Sequence, residues 1–252
     1  MITIPGNAQK DFVNSLHRET NGAVELVIIQ LPKRASLFER IVRFYRAAKK
    51  THFVKELWYA LLLRLNPRLR KALSNFQAKG TDPGEAYLPK VMRVDSINSD
   101  EVFRTIQSIS PDVLAVWGST VLEPRLLSVA RHAVNLHFGI SPHYRGALAN
   151  QHAVLNGDYA HVGATIHYMA DKVDSGRVLD QYRISPALPS EESLSRLTTI
   201  APRRFIDVIK KLHAGENLPA RTQEARKSQV LLLRDWVPSM RWVVGSRLIE
   251  HR

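Results

Sequence analysis

The chain has 252 residues, 44% of them hydrophobic, enough to build one sizeable core without disulfide or metal staples. It contains no cysteine, which excludes a disulfide framework, thiolate zinc sites, iron–sulfur clusters and a cysteine nucleophile. Lys and Arg number 36 against 23 Asp and Glu, a formal charge of +13 that favours anionic partners: phosphorylated substrates, nucleotides, RNA or an acidic membrane surface.

The start, "MITIPGNAQK", lacks the basic segment and long apolar run of a secretory signal, and no window is long and uncharged enough to span a bilayer. A soluble, cytoplasmic protein is expected. Residues 1–30 read as strand, helix, strand: "ITI", then "QKDFVNSLHRET" with Phe12, Val13 and Leu16 at helical spacing, then the apolar run "AVELVIIQ". A buried run after a crossover helix points to a parallel sheet. Residues 33–78 interrupt this pattern with an Arg- and Lys-rich segment that reads as one or two long amphipathic helices. Leu37, Ile41, Phe44, Tyr45 and Ala48 form one stripe, and Phe53, Leu57, Ala60, Leu61 and Arg64 another. The expected arrangement is a helical insertion docked on the core with a solvated basic face. "LWYALLLRL", apolar nearly all round, favours burial against protein. The sharper alternative is a basic amphipathic surface for a membrane or another anionic partner. "KGTDPGEAYLP" reads as a surface loop.

The alternation resumes with the strand "VMRV", the helix "SDEVFRTIQSI" capped by Ser99, the strand "DVLAVW", the helix "EPRLLSVAR" and the strand "HAVNLH". The fold class is therefore α/β, a doubly wound and mostly parallel sheet. Further on, "ALANQHAVLNGD" is helical, the strands "HVGATIHYM" and "RVLDQYRI" flank the turn "DKVDSG", and a helix covers 190–215. A short strand "QVLLL" and a last helix carrying Met240, Val243, Val244 and Leu248 complete the chain. We expect a main domain over 1–185, insertion included, and a small helical extension over 186–252 packed on it. The final helix, with Trp236, Trp242 and Val244, either closes the core or forms a homodimer contact; the first is favoured.

In a doubly wound sheet, ligands bind outside the carboxyl ends of the strands. "HAVNLH" delivers Asn135 and His137 to such an end, two residues apart and so on one face. An amide donor beside a histidine suits an oxygen that becomes negative during acyl transfer. Asp174, in the turn of "DKVDSGRVLDQ", can manage the proton of an attacking group. Taken singly, Asn-x-His is most often a cap, an Asx-turn or a satisfied core histidine, and Asp-Ser-Gly an ordinary turn. His132, His143, His152 and His161 fit no usual metal-ligand spacing, and no metal site is expected.

Order and spacing together are more specific. Residues 111–181 carry Asn135-Leu136-His137, then Ser141-Pro142-His143-Tyr144-Arg145-Gly146, then Gly163-Ala164-Thr165-Ile166-His167, then Asp174-Ser175-Gly176. This series resembles the folate-dependent formyltransferase family, which includes glycinamide ribonucleotide transformylase, methionyl-tRNA formyltransferase and nucleotide-sugar N-formyltransferases. The resemblance implies a Rossmann-like formyltransferase catalytic domain in which 10-formyltetrahydrofolate gives its formyl group to a primary amine. It implies that Asn135 and His137 stabilise the tetrahedral oxyanion, while Asp174 orients His137 and takes up or relays the amine proton. It also places the pterin against Ser119, Val121, Leu122, Ala170, Asp171 and Val173, largely through backbone groups.

Three departures bear on the acceptor and the loop. Phe138-Gly139 stands where the family has Pro-Ser after its histidine, with loop length unchanged. Only Pro5-Gly6-Asn7 represents the glycine-rich phosphate loop of the ribonucleotide transformylase, which argues against that acceptor. Residues after 185 read as too few and too helical for the C-terminal β-barrel of the tRNA enzymes, which argues against initiator tRNA. The expected acceptor is a small amine, phosphorylated or nucleotide-linked, such as a nucleotide-linked amino sugar, with no stable nucleic-acid partner. A formyltetrahydrofolate hydrolase ranks lower. A basic nucleic-acid-binding protein with an inactive catalytic domain is the alternative from another class, and it would use Phe44, Tyr45, Phe53, Trp58 and Tyr59.

Overall fold

The computed structural model describes residues 1–32, 36–48, 52–80, 85–184, 186–224 and 230–250. The first half of the described chain runs β1 (Ile2–Thr3), α1 (Asn7–Glu19), β2 (Leu26–Gln30), α2 (Leu37–Ala48), α3 (Phe53–Leu65), α4 (Pro67–Ser74), β3 (Lys90–Val94), α5 (Asp100–Ile109), β4 (Val113–Trp117), α6 (Pro124–Leu127) and β5 (His132–His137). The second half adds β6 (Arg145–Gly146), α7 (Ala149–Leu155), β7 (Gly163–Tyr168), β8 (Val178–Arg183), α8 (Glu191–His213), β9 (Val230–Leu231) and α9 (Pro238–Glu250), with 3₁₀ turns at Tyr159–His161 and Leu233–Asp235.

Seven strands form one sheet in the order β3-β2-β1-β4-β5-β7-β8. The five from β3 to β5 are parallel, β7 pairs antiparallel with β5, and β8 pairs antiparallel with β7 and so runs in the direction of the five again. Alternate residues of the parallel strands serve opposite faces, and both faces of the central strands are covered, which is why Leu26–Ile29 of β2 and Val113–Trp117 of β4 are continuously apolar. Val27, Ile29, Ala115, Trp117, Val134 and Leu136 meet α1 and α8 on one side. Ile28, Leu114 and Val116 meet Val102 and Ile106 of α5 and Leu126 of α6 on the other. On the first face Phe12 stacks on Phe205 at 5.5 Å and meets Trp117 edge-on at 5.4 Å, locking α1, α8 and β4 together.

Capping sets several boundaries. Ser99 accepts from the Val102 amide and Ser190 from that of Ser193, and each helix carries two acids in its first turn. The helix expected over "EPRLLSVAR" is shorter than its pattern: α6 spans only Pro124–Leu127. The expected loop over 79–89 lies partly outside the described residues, as does Gln229 of the expected strand "QVLLL". The final helix closes the core: Val244 is fully buried, and α9 packs on α3, α4 and α7.

The insertion departs from expectation. "LWYALLLRL" is not buried all round: Leu57, Trp58, Leu61 and Leu65 are exposed, Leu65 at 70%. In α2, Leu37, Ile41 and Tyr45 are exposed as well, and only Ala48 of that stripe is buried. The reason is geometric. The buried positions of α3 are Glu56 and Leu63, on the side that meets α9, and a helix packed along one side leaves its remaining apolar positions outward. Glu56 is fully buried because its carboxylate accepts from the Ser239 amide at 2.9 Å and hydroxyl at 2.7 Å, capping the start of α9.

Candidate active site

The parallel strand β5 ends at His137, and the antiparallel register with β7 sets Asn135 opposite His167 and His137 opposite Thr165. Directly opposed residues share a face of the sheet, so Asn-x-His and Thr-x-His become one four-residue patch. Asp174, in the loop joining β7 to β8, closes over it. One carboxylate oxygen, Oδ2, accepts from the Gly146 amide at 2.8 Å and lies 3.2 Å from His137 Nδ1. The other, Oδ1, lies 3.3 Å from His167 Nε2 and 3.4 Å from Asn135 Nδ2. Asp174 adopts a left-handed backbone, φ 48°, which aspartate tolerates better than most residues. Two residues on, a Cβ at Gly176 would lie 1.7 Å from the Tyr168 carbonyl oxygen, so the turn admits only glycine there.

Burial opposes ionisation of Asp174, but the neighbouring His137, the hydrogen bond with His167 and the Gly146 amide outweigh it and hold the carboxyl far below the usual range. Burial pushes His137 toward its neutral form, partly countered by Asp174 and the Tyr144 carbonyl. His137 Nε2 lies 2.9 Å from that carbonyl while Nδ1 faces Asp174, so an oxygen acceptor waits on each side of the ring. His167 Nδ1 sits 2.7 Å from the Tyr168 carbonyl, which can only accept and so takes a hydrogen from this nitrogen, while Nε2 lies 3.3 Å from both Asn135 Nδ2 and Asp174 Oδ1. Both Asn135 contacts are at the long end of hydrogen bonding, so its amide is the donor most easily redirected.

The loop after β5 is fixed from several directions. Thr165 Oγ1 donates to the Gly139 carbonyl at 2.7 Å and accepts from the Ser141 amide at 3.1 Å, and Gln181 donates to the Ser141 carbonyl at 2.7 Å. The Ser141–Pro142 peptide is cis. A Cβ at Gly139 would stand 2.4 Å from His137 Nε2 and 2.5 Å from Ala149 Cβ, which accounts for glycine at a position beside the histidine ring.

The six residues proposed for a pterin lie on two loops at the same edge of the sheet. Ser119 is half-buried and donates to the Thr120 carbonyl at 2.8 Å, while Val121 is 64% exposed. Leu122 packs its side chain into the cluster of Ile97 and Leu126. Ala170 and Asp171 are exposed and Val173 is half-buried. Met169, which precedes them, packs on the same cluster as Leu122 and so brings the two loops together. Gln30 and Asn98 brace the first loop, Gln30 accepting from the Thr120 amide at 3.0 Å and Asn98 bonding the Val121 carbonyl and the Glu123 amide, each at 3.0 Å. An apolar cavity of about 170 Å³ touching Leu16, Leu26, Ile106 and Ile209 lies at the opposite, N-terminal end of the strands, away from this chemistry.

Two residues join the site without having been assigned a role from sequence. His167 stands in the Gly-x-Thr-x-His stretch, and the alternation of that strand was the available signal. Gln223 donates through Nε2 to the carbonyls of Asp174 at 2.9 Å and Gly176 at 2.7 Å, and accepts from Arg145 at 2.7 Å. It ties the aspartate loop to β6, and nothing in the polar stretch "ARTQEARKSQ" distinguishes it.

The chain matches the family model described as formyl transferase over residues 66–209. It is 31% identical over 143 residues to a methionyl-tRNA formyltransferase of Limosilactobacillus fermentum, covering 54% of this chain and 44% of that protein. It is 32% identical over 126 residues to the methionyl-tRNA formyltransferase of Thermotoga neapolitana, covering 48% and 40%. The chain thus spans less than half the length of these curated relatives. Among solved structures, a sugar N-formyltransferase from a Shewanella species superposes with a TM-score of 0.57 at 13% identity, covering 98% of this chain and 86% of that one. Glycinamide ribonucleotide transformylase 1 from Symbiobacterium toebii gives 0.53 at 16% identity, covering 88% and 92%. These likenesses establish the shared fold.

Proposed function

Because the chain belongs to the formyl transferase family, we propose that it is an N-formyltransferase that moves a formyl group from 10-formyltetrahydrofolate to a primary amine on a small anionic acceptor, a nucleotide-linked amino sugar being the favoured class. The observation that carries this reading is the ionised Asp174 within 3.3 Å of both His137 and His167, with the Asn135 amide beside it. The two loops at this edge suit the donor, since they combine an exposed apolar Val121 with braced backbone. Ser119, Val121, Leu122, Ala170, Asp171 and Val173 would hold the pterin. When bound, the donor supplies a formyl carbon on a nitrogen that can leave once it is protonated.

Asn135 and His137 donate to the formyl oxygen as it gains negative charge, an arrangement most effective when the donors are already oriented. Asp174 takes the proton that the acceptor nitrogen sheds as it bonds to the formyl carbon. It returns that proton, directly or through His137, to the donor nitrogen as the old bond breaks, so bonds and protons balance. His167 and Gln223 are positioning residues, holding Asp174 by its side chain and by its backbone respectively. The formal charge of +13 supports an anionic acceptor and a polyglutamylated donor.

Calorimetry with a stable 10-formyltetrahydrofolate analogue tests the reading, followed by a screen of amines for release of tetrahydrofolate. Binding, with turnover confined to anionic amines, is expected. A folded protein that does not bind the analogue would sink the proposal.

A further inference from the structure

The face formed by α2 and α3 combines features that the proposed reaction does not use. Phe38 is 75% exposed, Val54 77%, Trp58 59% and Leu65 70%. Val54, Trp58, Leu61 and Leu65 follow one another at helical spacing, so they form a single outward stripe along α3. Leu233, 66% exposed, lies in the 3₁₀ turn on which α2 packs and adds to the apolar surface.

The charge of this segment is one-sided. In sequence, residues 33–78 contain twelve Lys and Arg against two acids, Glu39 and Glu56, and among the described side chains Arg46 of α2 and Lys55 and Arg64 of α3 are exposed. Both acids are engaged within the fold: Glu39 exchanges hydrogen bonds with Ser36 at the start of α2, and Glu56 is buried against Ser239. Glu56 is thereby withdrawn from the surface, and Glu39 is the one acid of the segment left exposed.

Exposed Trp, Phe and aliphatic side chains set among cations match the interface of an anionic bilayer, where the apolar groups enter the headgroup region and the cations meet lipid phosphates. A second copy would bring two strongly cationic faces together. RNA would use the cations but would leave Val54, Leu61 and Leu65 without a role. Among the described residues no helix is long and apolar enough to cross a membrane, so the helices would lie on the surface. From these observations we infer that the α2–α3 face is a peripheral docking surface for anionic phospholipid membranes. The turn at Leu233–Asp235 follows β9, β9 pairs with β6, and Gly146 of β6 holds Asp174. The proposed docking face and the proposed site are thus linked through a continuous set of contacts.

The test is flotation of the full chain with phosphatidylglycerol-containing vesicles and with pure phosphatidylcholine vesicles, which reads binding independently of formyl transfer. Wild type should float with the anionic vesicles and stay down with the neutral ones. Trp58→Ser combined with Leu65→Ser, both at exposed positions and checked for folding by circular dichroism, should abolish flotation. Lys55→Gln and Arg64→Gln should each weaken it on the order of fivefold. Three outcomes would overturn the inference: no flotation of wild type, flotation unchanged in the Trp58/Leu65 variant, or a dimer or RNA complex lost in that variant while vesicles are never bound.

Discussion

The end of β5 proposed as the active site and the α2–α3 face are both built from polar and apolar residues in close sequence, yet they are held in opposite ways. At the first, Asp174 alone is tied through its carboxylate to Gly146, His137 and His167 and through its backbone carbonyl to Gln223, so groups from β5, β6, β7 and the segment before β9 converge on one residue. At the second, α3 rests on α9 with Glu56 and Leu63 as its buried residues, and most of its large apolar side chains face outward. Dense cross-linking fixes charges and donors before a substrate arrives, which an electrostatic mechanism requires. A face attached along one side keeps its apolar surface available for something outside the chain.

The largest effect that would break this comparison is at the carboxylate. Asp174→Asn should lower turnover on the order of 10³-fold, because the amide cannot take a proton, while binding of a folate analogue by calorimetry stays near wild type. Unchanged turnover would reduce the converging bonds to a structural clamp. His137→Ala should cost on the order of 10²-fold in kcat if the ring donates to the developing oxyanion, read from initial rates of tetrahydrofolate release.

Smaller effects should separate the two regions by what they disturb. Gln223→Ala removes the donor to two loop carbonyls and should lower stability by about 1–3 kcal/mol in urea unfolding, with a drop in kcat because the aspartate loop loses its anchor. Gly139→Ala forces a methyl against His137 and Ala149 and should cost about 1–3 kcal/mol while also slowing turnover. Glu56→Ala leaves the start of α9 uncapped and should likewise cost about 1–2 kcal/mol, but with kcat for a soluble amine intact. Hydrogen exchange should then quicken in α3 and the first turn of α9 and not in β5. If Glu56→Ala slowed turnover as much as Gln223→Ala, the regions would be coupled and the contrast between them lost.

That Asn135, His137 and Asp174 come together at the end of β5 was partly legible because that information is local. Asn135 and His137 declare a shared face by their spacing of two, and Asp174 announces a turn beside Gly176. What could not be read was which residues would meet them. The opposition of Asn135 to His167 is a register, and a register follows from how whole strands pair. Gln223 reaches Asp174 across 49 residues, a distance at which an isolated glutamine gives no signal. The α2–α3 face failed in the other direction. The apolar character of "LWYALLLRL" says that burial would be favourable, but it does not say that the same chain provides the partner, and α9 covers only one side.

The smallest effects concern pH and act on stability. The His137 ring is held toward its neutral form by burial, so below its ordinary value of 6.5 the unfolded chain binds a proton that the native state resists. Stability is therefore fully present above that value and declines as pH falls through the window beneath it. Asp174 acts in the same direction at lower pH. Its folded pKa is depressed, so its contribution is fully present above the ordinary aspartate value of about 3.9 and is lost as pH falls toward the folded value. Urea unfolding followed across pH should show two successive declines. His137→Ala should flatten the upper one and Asp174→Asn the lower, whereas Trp58→Ser should change neither slope. A variant on the α2–α3 face that altered the acid profile would mean that the cationic surface, and not the buried cluster, sets the pH response of this protein.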